Sequence, residues 1–237
     1  MRCYIGGMAP KALTRGEAVL RALKADILNG HIAPGAQLGF ADLGARYSAS
    51  TGVLREVLPR LVEQGLATAQ AQVGYRVVSV SVPDLMQLTE ARVAIETQVL
   101  AQSITYGDLK WEADLVGIHH LLTQLPTFDA DDEINPEWLT THRDFHRVLL
   151  AGCPNVRLRE VAERLRDISE VYRCWSVRST QQIEHRDAEH ARLVQLAAAR
   201  DLEGARQAMT EHIERTTELL LLHRDAVEHP DSAERSA

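Results

Sequence analysis

Residues 27–66 read ILNGHIAPGAQLGFADLGARYSASTGVLREVLPRLVEQGL. Two short helical stretches are predicted within them, about Phe40–Arg46 and Thr51–Glu63, separated by the polar run Tyr47-Ser48-Ala49-Ser50. Ser50 stands where the second stretch needs an N-cap, because its hydroxyl can accept from a backbone N–H of the first turn. Upstream, Val19, Leu20, Leu23, Ile27 and Leu28 recur at helical spacing over Ala18–Leu28. Asn29-Gly30 ends that helix with a residue suited to a left-handed cap, and Pro34-Gly35 makes a turn. Downstream of Gly65, two β-prone runs, Leu66–Ala71 and Tyr75–Val82, flank Gln72-Val73-Gly74 and predict a hairpin. Three helices and a hairpin within about 65 residues keep the order of a winged helix-turn-helix.

From Pro83 onward the pattern is helical almost throughout. It predicts six helices: Pro83–Tyr106, Leu109–Gln124, Pro136–Ala151, Val156–Arg178, Ile183–Arg200 and Leu202–Arg224, the last capped by Asp201. The acidic stretch 127–135 predicts a solvated loop. The fold class is therefore mostly α, a winged helix-turn-helix over residues 11–80 and an all-α helical bundle over 83–226. Residues 227–237 form a tail expected to fray.

Charge divides along the same boundary. The whole chain carries a formal -7, which taken alone argues against nucleic acid. Up to Val80, however, nine Lys/Arg stand against five Asp/Glu, while the remainder holds 17 against 28. A basic module joined to an acidic one confines any polyanion-binding surface to the N-terminal end. No run of about 18 apolar residues predicts a membrane span, and Met1–Leu13 lacks the apolar segment of a secretory signal. Cys3, Cys153 and Cys174 are odd in number and lack metal-site spacing, as in a chain with reduced thiols in a cytoplasm.

Histidine is the second uneven residue: one of ten precedes Val80. His142 and His146 are spaced i, i+4, so both project from one face of one helix, a geometry that suits two imidazoles on one metal. His190 and His212, on two later helices, would complete a site of three or four nitrogens. His119, His120, His185, His223 and His229 fit no such pattern and are taken as surface residues.

These residues also carry a family resemblance. Ile27-Leu28-Asn29-Gly30, Pro34-Gly35-x-x-Leu38, Leu43-x-x-Arg46-Tyr47, Leu54-Arg55-Glu56-Val57-Leu58 and Leu61-x-x-x-Gly65-Leu66 resemble the DNA-binding domain of the GntR family. The remainder of the chain, beyond the hairpin, resembles the FadR-type, or FCD, ligand-binding domain. The marks of that domain are Arg92-x-x-x-Glu96, His142-x-x-x-His146, Asn155 after Gly152-Cys153-Pro154, Glu189-His190 and Met209-x-x-His212. Six helices rather than seven are similar to the shorter, VanR-like variants. The resemblance runs from about Arg15 to His223.

It implies a homodimer whose paired recognition helices read a pseudo-palindromic double-stranded operator. Arg55, on the second helix of the motif, is the candidate for a bidentate contact to guanine, with Ser50 and Thr51 beside it at the helix N-terminus. Arg46, Arg60 and Arg76 read as phosphate contacts. Gly74, at the wing tip, suits close approach to the backbone or the minor groove, and equally suits an ordinary hairpin. The sequence departs from the family at Thr51, where an arginine is common, and at Gly52 and Val53. Pro59 removes a backbone donor inside the helix, at a cost of roughly 3 kcal/mol, and predicts a kink or break near Leu58.

For the C-terminal domain the resemblance implies a metal that docks an effector carboxylate, with repression relieved by ligand as the commoner behaviour. The family often has Asp where His142 stands, so this nitrogen-rich set favours Zn²⁺ or Ni²⁺. Arg92 could pair with the effector or, equally, with Glu96. Arg173 and Trp175 could line the pocket or belong to core and interface. A metal-dependent hydrolase is disfavoured, since Arg143 stands where a zincin places its general-base glutamate. No Ser-His-Asp set or phosphate-cradling glycine loop is evident. A helical interaction module with weakened DNA binding is the remaining alternative, favoured only by Thr51 and Pro59.

Overall fold

The computed structural model describes residues 13–129, 134–173 and 180–228. They divide into two compact units, one holding residues 13–27 and 32–78, the other residues 28–31 and 79 onward.

The first unit contains α1 (Arg15–Leu28), α2 (Phe40–Tyr47) and α3 (Thr51–Glu63), then the antiparallel pair β1 (Ala67–Gln70) and β2 (Gly74–Val77). The spacing that predicts α1 is the spacing that buries it: Leu23 and Ile27 are sealed with Leu54, Val57, Leu58 and Leu61 of α3 in the core of this unit. Gly30 and Gly35 adopt the left-handed conformation that their turns require, at φ 79° and 74°. Ser50 caps α3, its hydroxyl accepting from the Val53 N–H at 3.4 Å. The hairpin pairs Ala67 with Val77 and Gln70 with Gly74. Gln72 and Gly74 take positive φ through its turn.

Two expectations about this unit need correction. The second strand ends at Val77 rather than Val82, because Ser81 already caps the next helix by accepting from Asp84 N–H. Nor does Pro59 break α3, which runs helical from Thr51 to Glu63. Pro59 sits on the half-exposed side of the helix. Fully buried Leu54, Val57, Leu58 and Leu61 flank it before and after, and burial of four aliphatic side chains outweighs one lost backbone hydrogen bond.

The second unit is all helical: α4 (Val82–Tyr106), α5 (Leu109–Gln124), α6 (Pro136–Leu149), α7 (Val156–Arg173), α8 (Thr180–Ala198) and α9 (Leu202–Glu228). Helix α4 packs on α7 and α9, α5 packs on α6 and α8, and α8 packs on α9. Asp201 caps α9 as predicted, its carboxylate accepting from Gly204 N–H. The apolar core gathers Val99, Leu100, Ile104, Trp111, Leu115, Phe145, Leu149, Leu193 and Met209. Polar residues of α4, α6, α7, α8 and α9 interrupt it where they gather around a cavity. Of the expected tail 227–237, Val227 and Glu228 continue α9, while residues 229–237 and the stretch Cys174–Arg178, placed by the sequence in the fourth C-terminal helix, lie outside the described residues.

A buried imidazole cluster and its arginine-lined cavity

Helix α6 needs an apolar face toward the core, and it supplies one with Trp138, Leu139, Phe145 and Leu149. His142 and His146 occupy the same face, one turn apart, and are buried with it. Their ring centroids lie 4.8 Å apart. His190 of α8 comes within 5.0 Å of His142 and 5.1 Å of His146. One ring nitrogen from each of these three falls within 4.8 Å of the others. His212 of α9 completes the cluster at 5.1 Å from both His146 and His190.

His212 differs from the other three in its partner. Its Nδ1 lies 2.8 Å from Glu189 Oε2, so Nε2 remains for any further bond. A carboxylate that fixes one imidazole nitrogen is the usual support for a ligand that bonds through the other. His146 and His190 are nearly sealed from solvent, and neither ring of the two has a hydrogen-bond partner on either nitrogen. Four orphaned polar atoms in a packed interior are costly. A divalent metal shared by the rings would relieve that cost, and the donor set fits one.

Electrostatics favours the deprotonated ligand form. Burial pushes His142, His146 and His190 well below the ordinary imidazole value, and Arg173, Arg166 and each other's positive forms push them further. His212 is also lowered, chiefly by burial, although Glu189 works in the opposite direction. The balance therefore favours the neutral form of these rings, the form that metal ligation requires.

Beside His142, His146 and His212 lies a cavity of about 110 Å³. That suits a small molecule rather than a drug-sized one. Five arginines reach its wall: Arg92, Arg166, Arg173, Arg186 and Arg215. Arg92 pairs with Glu96 at 2.7 Å and donates to Ser169 Oγ at 2.8 Å. Arg166 pairs with the other oxygen of Glu96 at 3.1 Å. Arg92 therefore pairs with Glu96 and still faces the cavity, where an effector could meet it. Glu96 itself is fully buried behind the two arginines and is absent from the wall. Its role is to hold them. Arg173 pairs with Glu170 and donates to His142 Nδ1 at 2.9 Å.

The structure thus brings together all four predicted histidines, Arg92 and Arg173. Sequence reading missed Arg166, Ser169, Arg186 and Arg215. For two of them the signal was legible: Arg186 precedes His190 by four residues and Arg215 comes three after His212, which puts each on its histidine's face. His119 needs correction: it is half-buried, with its ring 5.8 Å from Phe145 and its basicity lowered by burial. His120 is exposed as expected. The side chains of Trp175, His185, His223 and His229 lie outside the described residues.

The predicted DNA-facing residues all belong to the first unit. Thr51, Arg55 and Gly74 are exposed. Arg46 pairs with Asp26 at 2.7 Å, Arg60 approaches Glu56 at 3.9 Å, and Arg76 donates to the Gly35 carbonyl at 3.0 Å. Arg55 alone of these arginines projects from the exposed face of α3 near its N-terminus without such a contact among the described residues.

A winged helix-turn-helix joined to a helical unit built around a buried polar pocket is the architecture of a DNA-binding transcription regulator with a ligand-binding domain. Residues 15–77 match the family described as bacterial regulatory proteins, gntR family, and residues 87–215 match the FCD domain. The chain is 36% identical over 197 residues to the HTH-type transcriptional repressor GlaR of Escherichia coli K12, covering 81% of this chain and 90% of that one. It is 34% identical over 200 residues to the HTH-type transcriptional regulator BphR of Paraburkholderia xenovorans LB400, covering 84% and 82%. Among solved structures, E. coli McbR/YncC shares the fold at TM-score 0.76 and 19% identity, covering 90% of this chain and 100% of that one. The protein belongs to the GntR family of transcription regulators and carries an FCD domain. Among its described residues no helix is long and apolar enough to cross a membrane.

Proposed function

We propose that this regulator is a cytoplasmic homodimeric repressor, and that a small organic acid docked at a histidine-bound divalent metal controls its hold on operator DNA. One observation carries the reading: four buried imidazoles, two of them unpartnered, stand beside a cavity walled by five arginines. His142, His146, His190 and His212 would hold the ion, and the all-nitrogen set favours zinc or nickel. The metal would supply concentrated positive charge for a carboxylate. Arg92, steered by Glu96, is placed to orient that carboxylate from α4, and Arg173 to do so from α7. The repressor sign rests on the similarity to GlaR. The acid shifts the DNA-binding equilibrium only by its differential affinity for the two arrangements of the dimer.

At the DNA end, Arg55 reads a base edge, Ser50 and Thr51 lie beside the backbone, and Arg46, Arg60 and Arg76 sit toward phosphates with Gly74 at the wing tip. The paired Asp26 and Glu56 carboxylates limit what Arg46 and Arg60 can offer, which leaves Arg55 the larger share. In a mobility-shift assay on the chain's own upstream region, Arg55→Ala should weaken specific binding by about 1–3 kcal/mol and leave binding to random DNA nearly unchanged. An equal loss on both DNAs would reassign Arg55 to a phosphate. Failure of the wild type to shift any upstream fragment at low salt would overturn the reading.

A further inference from the structure

Resting on the carboxylate-at-metal reading, we propose that the effector carries a second acidic group a few carbons from the first, received by Arg186 where it stacks on Trp138. Four of the five cavity arginines already have a carboxylate. Arg92 and Arg166 share Glu96, Arg173 pairs with Glu170, and Arg215 pairs with Glu189 at 2.9 Å. Arg186 is the exception among them. No carboxylate of the described residues pairs with it, its Nε is buried without a partner, and one terminal nitrogen reaches only the Thr127 hydroxyl at 3.4 Å.

A guanidinium cannot shed its charge at physiological pH, so burying one without a counter-anion is costly. Burial, and then the neighbouring Arg173 charge, bring Arg186 down to about 10, while Asp187, Glu170 and Glu189 pull it back only from a distance. Among the described residues, this corner of the cavity lacks a paired carboxylate for Arg186.

Its location sets the ligand's shape. The Arg186 guanidinium lies 4.2 Å over the Trp138 ring. Trp138 stacks on His142 with centroids 4.8 Å apart. The second anion position is thus one stacked indole away from the imidazoles that would hold the metal, within reach of a short chain. The first position also carries unbalanced charge, because Glu96 is one carboxylate shared by two arginines. Ile134 and Leu139 line the same wall and suit methylenes between the two ends. The chemistry is that of a short, straight-chain dicarboxylate.

Calorimetry on zinc-loaded protein tests this, with the straight-chain dicarboxylates from malonate to adipate compared with monocarboxylates of equal carbon number. The best dicarboxylate should bind at least about tenfold more tightly than its monocarboxylate match, the scale of one charge-assisted hydrogen-bonded pair. In Arg186→Gln, with metal content confirmed unchanged, that preference should fall below about threefold. Arg186→Lys should keep part of it. Equal affinities in the wild type, or a Gln variant that weakens both classes alike, would overturn the inference while leaving the metal–carboxylate reading intact. Absence of binding by either class would overturn both.

Discussion

Protein carrying alanine at both His146 and His190 should leave a desalting column without zinc or nickel, whereas the wild type retains about one ion per chain. Each imidazole is nearly sealed, and neither has a hydrogen-bond partner to lose, so the substitutions remove ligands without breaking another network. Loss of the outer partners that support metal ligands alone costs about 10–100-fold in metal affinity. Loss of two ligands should exceed the upper end of that range. Added metal should raise the melting temperature of the wild type by mass action and leave that of the variant unchanged. Equal metal content in the two proteins would refute the assignment. The same burial sets a pH dependence of definite sign. It lowers these imidazoles from 6.5 in the fold, so the folded chain binds fewer protons than the unfolded chain just below that value. Metal-free protein should therefore lose stability as pH falls through 6.5, and bound metal should oppose the loss.

Glu96→Ala should destabilise the helical unit by about 3–5 kcal/mol, the cost of leaving buried charges without their partner. Arg92 and Arg166 each lose their carboxylate at once, and their side chains are only 7% and 10% exposed. Burial alone would push the Glu96 carboxyl up, but the two guanidinium charges more than offset it, and the net shift is downward from 4.5. The native state thus holds fewer protons than the unfolded chain in that range. The pair's contribution is complete above pH 4.5 and disappears as pH falls through the lower native value. Thermal melts of wild type and variant at pH 7 measure the difference. A change below about 1 kcal/mol would mean that the arginines find other anions, and Glu96 would lose its assigned role.

Much of the fold was legible because its decisive signals are local. The α3 boundaries are set by Ser50 at one end and the Gln64-Gly65 turn at the other, and those of α5 by Asp108 and the Leu125-Pro126 break. The strand overrun to Val82 came from reading Val77, Val78, Val80 and Val82 as β-branched residues, although Ser81 and Pro83 are start signals for α4. The expected break at Pro59 gave a local backbone cost more weight than the nonlocal burial of Leu54, Val57, Leu58 and Leu61.

The site was legible for the opposite reason. Polar residues on helix faces that otherwise bury apolar groups stand out at their spacing, as His142 and His146 do beside Phe145 and Leu149. Arg166 and Ser169 on α7 share a face with the predicted Arg173, but α7 carries so many charges that no apolar face set them off. The pairing of Arg166 with Glu96 joins residues 70 positions apart. No spacing within one helix announces it.

If one cluster of histidines links acid binding to DNA release, one titration shows it most directly. Zinc-loaded wild type is bound to its own upstream DNA at fixed salt, and the tightest-binding acid of the malonate-to-adipate series and its monocarboxylate match are titrated against the complex. Wild type should release the DNA as acid is added, while the His146→Ala, His190→Ala variant should hold it at every acid concentration. DNA binding indifferent to acid in both proteins, or release from the variant as readily as from the wild type, would contradict that link.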